Sequence, residues 1–173
     1  MSEPRSVFDA VRTMLAVRSY QTKLVPSAIV RRIIEAGRLT ASASNTQPWH
    51  FIVVEDRETL GKLGRIASTG PYVASAPMAI VVGVDKESPL GVSDGSRAIQ
   101  SMMLTAWEDG VGSNWIGFRG MEPVRKLLGM PANFDVLAIV AFGYPATRVS
   151  GSKKRRKPLE QVASRERFGQ PLG

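Results

Sequence analysis

Two apolar runs, MAIVVGV at 78–84 and VLAIVAF at 136–142, constrain this chain more than any other feature. Each has the length of a strand, and neither alternates apolar with polar side chains. The first is predicted to be a central strand buried on both faces, and the second a strongly apolar strand beside it. Such a sheet must be covered, and helical periodicity supplies the cover. Phe8, Val11 and Leu15 mark a first helix behind a Ser2-Glu3-Pro4 start, ending near Val17. Pro26-Ser27 opens a second, with Val30, Ile33, Ile34, Gly37 and Ala41 on one face.

Residues 43–48 are small and polar and end in Pro48, so they form a loop ahead of a strand at 50–54. Leu60, Leu63 and Ile66 mark a short helix that Thr69-Gly70-Pro71 breaks. Asp94 is the expected N-cap of a long helix that turns Ile99, Met102, Met103 and Ala106 inward. Gly110-Val111-Gly112 ends that helix, Trp115-Ile116-Gly117 opens an extended piece, and Val124, Leu127 and Leu128 give one more short helix. The pattern predicts one α+β domain over 1–173, a mixed sheet flanked by helices, with 151–173 as a basic C-terminal arm.

Composition removes several chemistries. The 173 residues include no Cys and a single His, so disulfides, thiolate zinc sites, cysteine nucleophiles and two-His metal sites are excluded. His50, beside Trp49 at a strand start, is expected to pack rather than catalyse, as are Met102 and Met103. No stretch has the roughly 20 apolar residues that span a bilayer, and a cytoplasmic protein away from the membrane is the expectation. The formal charge is +8, and most of the excess falls between 151 and 167. The run Lys153-Lys154-Arg155-Arg156-Lys157 has three readings: a solvated tail, a nucleic-acid or membrane patch, or an anion site for one phosphate.

Gly110, Gly112 and Gly117 do not fit a dinucleotide-binding G-x-G-x-x-G, and no phosphate-binding P-loop motif is present. A different set points to a phosphorylated planar ligand. Arg18 and Ser19, at a helix end, can clamp a phosphate through charge-assisted bonds. Asn45 and Gln47 each offer a donor and an acceptor, which suits the edge of a heterocycle. Gly117 lets backbone approach a flat ring.

Four stretches, in this order, resemble the FMN-dependent nitroreductase family: Arg18-Ser19; Ser-x-Ser-Asn-x-Gln-Pro-Trp at 42–49; Gly-x-Gly-Ser-x-Trp-Ile-Gly at 110–117; and Lys-x-Arg-x-Pro-Leu-Glu at 154–160. The resemblance implies an intertwined homodimer with FMN at its interface. It implies that Arg18, Ser19, Lys154 and Arg156 hold the phosphate. Asn45 and Gln47 would meet the polar edge of the flavin, and Ser42 and Ala43 would approach the same flavin from the other subunit. Ile116 and the Gly117 amide would lie against the ring.

The implied chemistry is ping-pong: NADH or NADPH gives hydride to FMN, and a nitroaromatic, quinone or similar small acceptor then takes it. Related reactions on the same fold, dehalogenation and flavin breakdown, stay open. So does a nucleic-acid or anionic-surface binder using the arm, although the arm lacks interleaved aromatics before Phe168. The chain departs from the family pattern in three ways. Val17 replaces a common Arg, Gln21 stands where a Lys or Arg is frequent in the cofactor site, and the segment between the 78–84 strand and the following helix is short.

Overall fold

The fold is described from a computed structural model, which covers residues 6–117, 120–147 and 154–173. The element order is α1 (Val7–Thr13), α2 (Ser27–Arg38), β1 (Trp49–Val54), α3 (Arg57–Ile66), β2 (Met78–Asp85), α4 (Gly91–Glu108), β3 (Gly112–Ile116), α5 (Glu122–Leu127) and β4 (Phe134–Gly143). The four strands lie in the order β1-β2-β4-β3.

The predicted central strand is β2: its residues from Met78 to Val84 are all buried. Ala79 and Val81 face a layer built from α3, the 3-10 turn Pro71–Ser75 and α5, where Leu60, Leu63, Val73, Val124 and Ile139 meet. Ile80 and Val82 face the opposite layer, with Ile33 of α2 and Ile99 and Met102 of α4. An unbroken apolar strand therefore arises because both faces are covered. Met102 is fully buried, whereas Met103 is half-buried.

Every pairing within the sheet is antiparallel, where a mixed sheet was expected. The reason is the α4 crossover. It returns the chain to the starting end of the sheet, so β2 and β3 run the same way, and β4 then inserts between them. The parallel component is an isolated bridge between Ala16 and Ser113 at the outer edge of β3.

Four local expectations change. The capped start of α1 is at Ser6, whose hydroxyl accepts the Asp9 N–H; the Ser2-Glu3-Pro4 start lies outside the described residues. The α1 stripe splits: Phe8 is 72% exposed and Val11 is exposed too, Leu15 past the helix end packs against the Ala10–Val17–Trp107 cluster, and the Trp107 indole–Thr13 hydrogen bond ties the helix to α4. The capping position of α4 is Leu90, and Asp94 lies inside the first turn with its side chain fully buried. His50 is exposed on β1, its ring edge-on to Phe134.

Between α1 and α2 the chain is stitched to the sheet by backbone bonds. Val17 N–H donates to Ser113 O, Ala146 N–H to Ser19 O, and Gln21 N–H to Tyr144 O. The Tyr20 hydroxyl donates to Val17 O at 2.6 Å. Burial pushes its phenol above the ordinary tyrosine value, the nearby Tyr72 adds to this, and the Arg18 guanidinium opposes it. The segment lies so close to β3 that a Cβ at Gly112 would fall 2.4 Å from Val17 Cγ2.

Two outcomes follow from this seam. Gly112→Ala should lower the unfolding free energy by about 1–3 kcal/mol through overpacking against Val17. Unchanged denaturant stability would show that the seam is not closely packed. The raised Tyr20 pKa means that the unfolded chain releases the phenolic proton first as pH rises. Its contribution is complete below the ordinary value of 10.0 and is lost above it. Stability should therefore fall more steeply for wild type than for Tyr20→Phe as pH rises from about 10 to about 11.5. Parallel slopes would contradict the buried phenol.

Candidate active site

The candidate residues fall into two groups, and the strand register places them at diagonal corners of the sheet. The first group follows the outer edge of β3. Arg18 and Ser19 are exposed on the stitched segment, beside the start of β3 and the end of β4. Gln21 is fixed there as well, its side-chain amide donating to Pro145 O at 2.9 Å. At the far end of β3 lie Ile116 and Gly117. A strand of five residues spans about 16 Å, so the two ends of this edge are a mononucleotide's length apart.

Ile116 is 2% exposed, and its side chain fills the space that a Cβ on Gly70 would need. The Ile116 side chain is therefore committed to the core. Gly117 is exposed, with the Thr69 hydroxyl 3.5 Å from its carbonyl oxygen.

Of the arm residues, Lys154 donates from its ammonium to Val11 O at 2.5 Å, at the C-terminal end of α1. Burial, and to a lesser degree Arg156, lower its pKa from the usual lysine value. A cation at that helix end is favoured by the exposed carbonyls there. Arg156 is exposed and bonds the Arg155 carbonyl, and Arg155 and Lys157 are exposed as expected for solvated neighbours. Lys153 lies outside the described residues.

The second group is the loop before β1. Trp49 pairs with Val84, so this loop leaves the end of the sheet opposite the stitched segment, and from the opposite edge strand. Its backbone is unusual. Ser44, Asn45 and Gln47 have φ of 49°, 56° and 49°, in the left-handed region. Asn tolerates that region; Ser and Gln do so at a cost of order 1–3 kcal/mol each, and such strain persists only where the surroundings enforce it. The Ser42 hydroxyl accepts the Gln47 N–H at 2.9 Å, and the Gln47 amide donates to Asn45 O and Oδ1. Pro48 O accepts from Asp85 N–H, and Asp94 Oδ2 accepts from Ala43 N–H at 3.1 Å. The side chains of Asn45 and Gln47 remain exposed, as an edge-reading loop requires.

Sequence reasoning missed several neighbours of the site. Lys23 places its ammonium 4.3 Å from the centre of the Tyr144 ring, adding a cation near the stitched corner. Asn114, on β3 between Arg18 and Gly117, is nearly buried and donates to the Tyr72 hydroxyl. Asp94 was assigned to a cap when its carboxylate serves the distant loop. None of these pairings leaves a spacing signal, because each joins residues far apart in the chain. Among the described residues no group of three or more His, Cys, Asp or Glu could hold a metal ion, and no helix is long and apolar enough to cross a membrane.

The comparisons with known proteins agree with the fold. A protein of Methanothermobacter thermautotrophicus assigned as an NADH dehydrogenase/NAD(P)H nitroreductase is 34% identical over 148 residues, covering 81% of this chain and 78% of its own. An NADH dehydrogenase of Thermus thermophilus is 30% identical over 197 residues, covering 90% and 95%. The structure of an FMN-dependent nitroreductase from Clostridium difficile superposes with a TM-score of 0.84 at 26% identity, covering 92% of this chain and 98% of the other. The sequence matches the Nitroreductase family over residues 12–87 and 68–144, and the chain belongs to that family.

Proposed function

We propose that the protein is an NAD(P)H-dependent FMN oxidoreductase that reduces small electron-poor acceptors such as nitroaromatics or quinones. One observation carries the reading: the outer edge of β3 joins an exposed Arg18-Ser19 corner to the open backbone at Gly117 over about 16 Å. Residues and spacing fit FMN. Arg18 and Ser19 would bind its phosphate, joined by Lys154 and Arg156 from the arm, and the Ile116–Gly117 backbone would lie against the ring. When bound, FMN would supply reversible hydride transfer between a nicotinamide donor and the acceptor, each using the same space in turn. The protein binds, orients and excludes water, which agrees with a chain lacking Cys and holding one His.

The second group of residues supports a homodimer. Within one chain the 42–48 loop and the Arg18 corner occupy opposite ends of a sheet whose β4 strand alone runs ten residues, about 30 Å. A second copy would bring its loop to the flavin that the first copy holds. The loop is closed by its own Ser42–Gln47 bond, so Ser42, Ala43, Asn45 and Gln47 would arrive together from that copy. The resemblance implied a split, with Asn45 and Gln47 from one subunit and Ser42 and Ala43 from the other; the closed loop supports the arrival of all four from one copy. Phe8 and Val11 on α1, with Leu159, Val162 and Phe168 on the arm, are exposed apolar side chains that such a partner would cover. A nicotinamide donor would suit a reaction in the cytoplasm.

Purified protein should be yellow and should bleach when NADH or NADPH is added without oxygen. A colourless preparation that also takes up no added FMN would refute the reading. Gln21 is neutral and its amide is committed to Pro145 O, so no cation at this position stabilises an anionic reduced flavin. Gln21→Lys should raise the FMN reduction potential in a spectroelectrochemical titration, and no rise would exclude that role for position 21.

A further inference from the structure

The proposed function leaves a buried carboxylate unused. Asp94 is 0% exposed, although an ionised carboxylate is among the groups least tolerated in a protein interior. Its surroundings hold it still. A Cβ on Gly95 would lie 2.8 Å from both Leu137 Cδ2 and Val84 Cγ1, so the first turn of α4 is pressed directly on the sheet. Arg97 reaches in from the surface to Asp94 Oδ1, and Oδ2 faces out of the helix to the Ala43 amide.

Among the described residues, Asp94 is the one side chain outside the 42–48 loop that hydrogen-bonds it; the other outside contact is the backbone bond between Asp85 and Pro48. The bond enters where it has most effect, at the first residue of the turn that carries the left-handed Ser44 and Asn45. A strained loop needs an external fixed point, and a carboxylate locked in a helix provides one.

We infer that Asp94 is a positioning residue for the flavin: acting through the Ala43 amide, it holds the 42–48 loop in the form that reads the ring. The inference rests on the proposed function, and it assigns the loop's geometry to one buried group 51 residues away in sequence. The oxygen that accepts the bond is Oδ2, and the Arg97 pairing at Oδ1 fixes the carboxylate that carries it.

The experiment is an FMN titration by fluorescence quenching on wild type, Asp94→Ala, Asp94→Asn, Ala43→Pro and the double variant Asp94→Ala/Ala43→Pro. Asn keeps an oxygen that can accept from Ala43. Proline at 43 deletes the donor while leaving Asp94 and Arg97 paired, and the extended Ser42, with ψ of 158°, suits the residue before a proline. Asp94→Ala and Ala43→Pro should each weaken FMN binding roughly tenfold, the size of one lost hydrogen bond to a charged group. Asp94→Asn, whose single oxygen can serve Ala43 only with its NH2 turned toward Arg97, should lose less affinity than Asp94→Ala, and the double variant should be no worse than the weaker single one.

If Asp94→Ala fails to fold, Ala43→Pro and Asp94→Asn decide the matter. Additive losses in the double variant, or wild-type affinity in Ala43→Pro, would overturn the positioning role alone. Loss of affinity in Asp94→Asn equal to that in Asp94→Ala would do the same. Wild-type protein that does not bind FMN would overturn the proposed function along with it.

Discussion

The arrangement depends on the backbone seam that joins residues 16–21 to the ends of β3 and β4. Three amide–carbonyl bonds, in two isolated bridges, convert a connection between two helices into a short extension of the sheet. Peptide groups in such a position must be paired once water is excluded, and here the sheet ends pair them. The consequence is positional. Arg18 and Ser19 cannot drift as residues of an ordinary surface loop would, because the residues on both sides of them are held in register with Ser113 and Tyr144.

The two faces of the sheet serve this seam differently. The layer with α3 and α5 buries the Ile116 side chain and so orients the backbone that follows it. The layer with α2 and α4 carries the buried Asp94 and so governs the loop at the other corner. Each half of the candidate site is thus set by a different half of the core. Core substitutions near α3 and α4 would act on different parts of ligand recognition.

Much of this was legible in the sequence. Unbroken apolar runs have one economical explanation, a strand covered on both sides, and β2 and β4 follow it. The loop at 43–48 was placed correctly because turn chemistry restricts residue type locally, whereas the extended piece expected to open at Trp115 begins at Gly112 and ends at Ile116. What was not legible is long-range. Asp94 satisfies the rules of a helix cap, and only tertiary structure shows its carboxylate bonding to Ala43. The α1 stripe obeys helical periodicity, which gives the existence of an apolar face but not the direction in which it points; Ala10 takes the inward place and Phe8 the outward one. The sheet was expected to be mixed because strand order cannot be read from strand content.

The outward part of the α1 stripe has a consequence for the protein in dilute solution. A chain that folds with Phe8, Val11, Leu159 and Phe168 in water leaves part of its hydrophobic driving force unspent. Whatever surface covers those side chains binds the folded form and not the unfolded one, so by mass action the apparent stability rises with the concentration of that partner. Where the partner is a second copy, the melting temperature becomes a function of how much protein is present. The same chain is then a sturdier object in a crowded expression host than in a nanomolar assay.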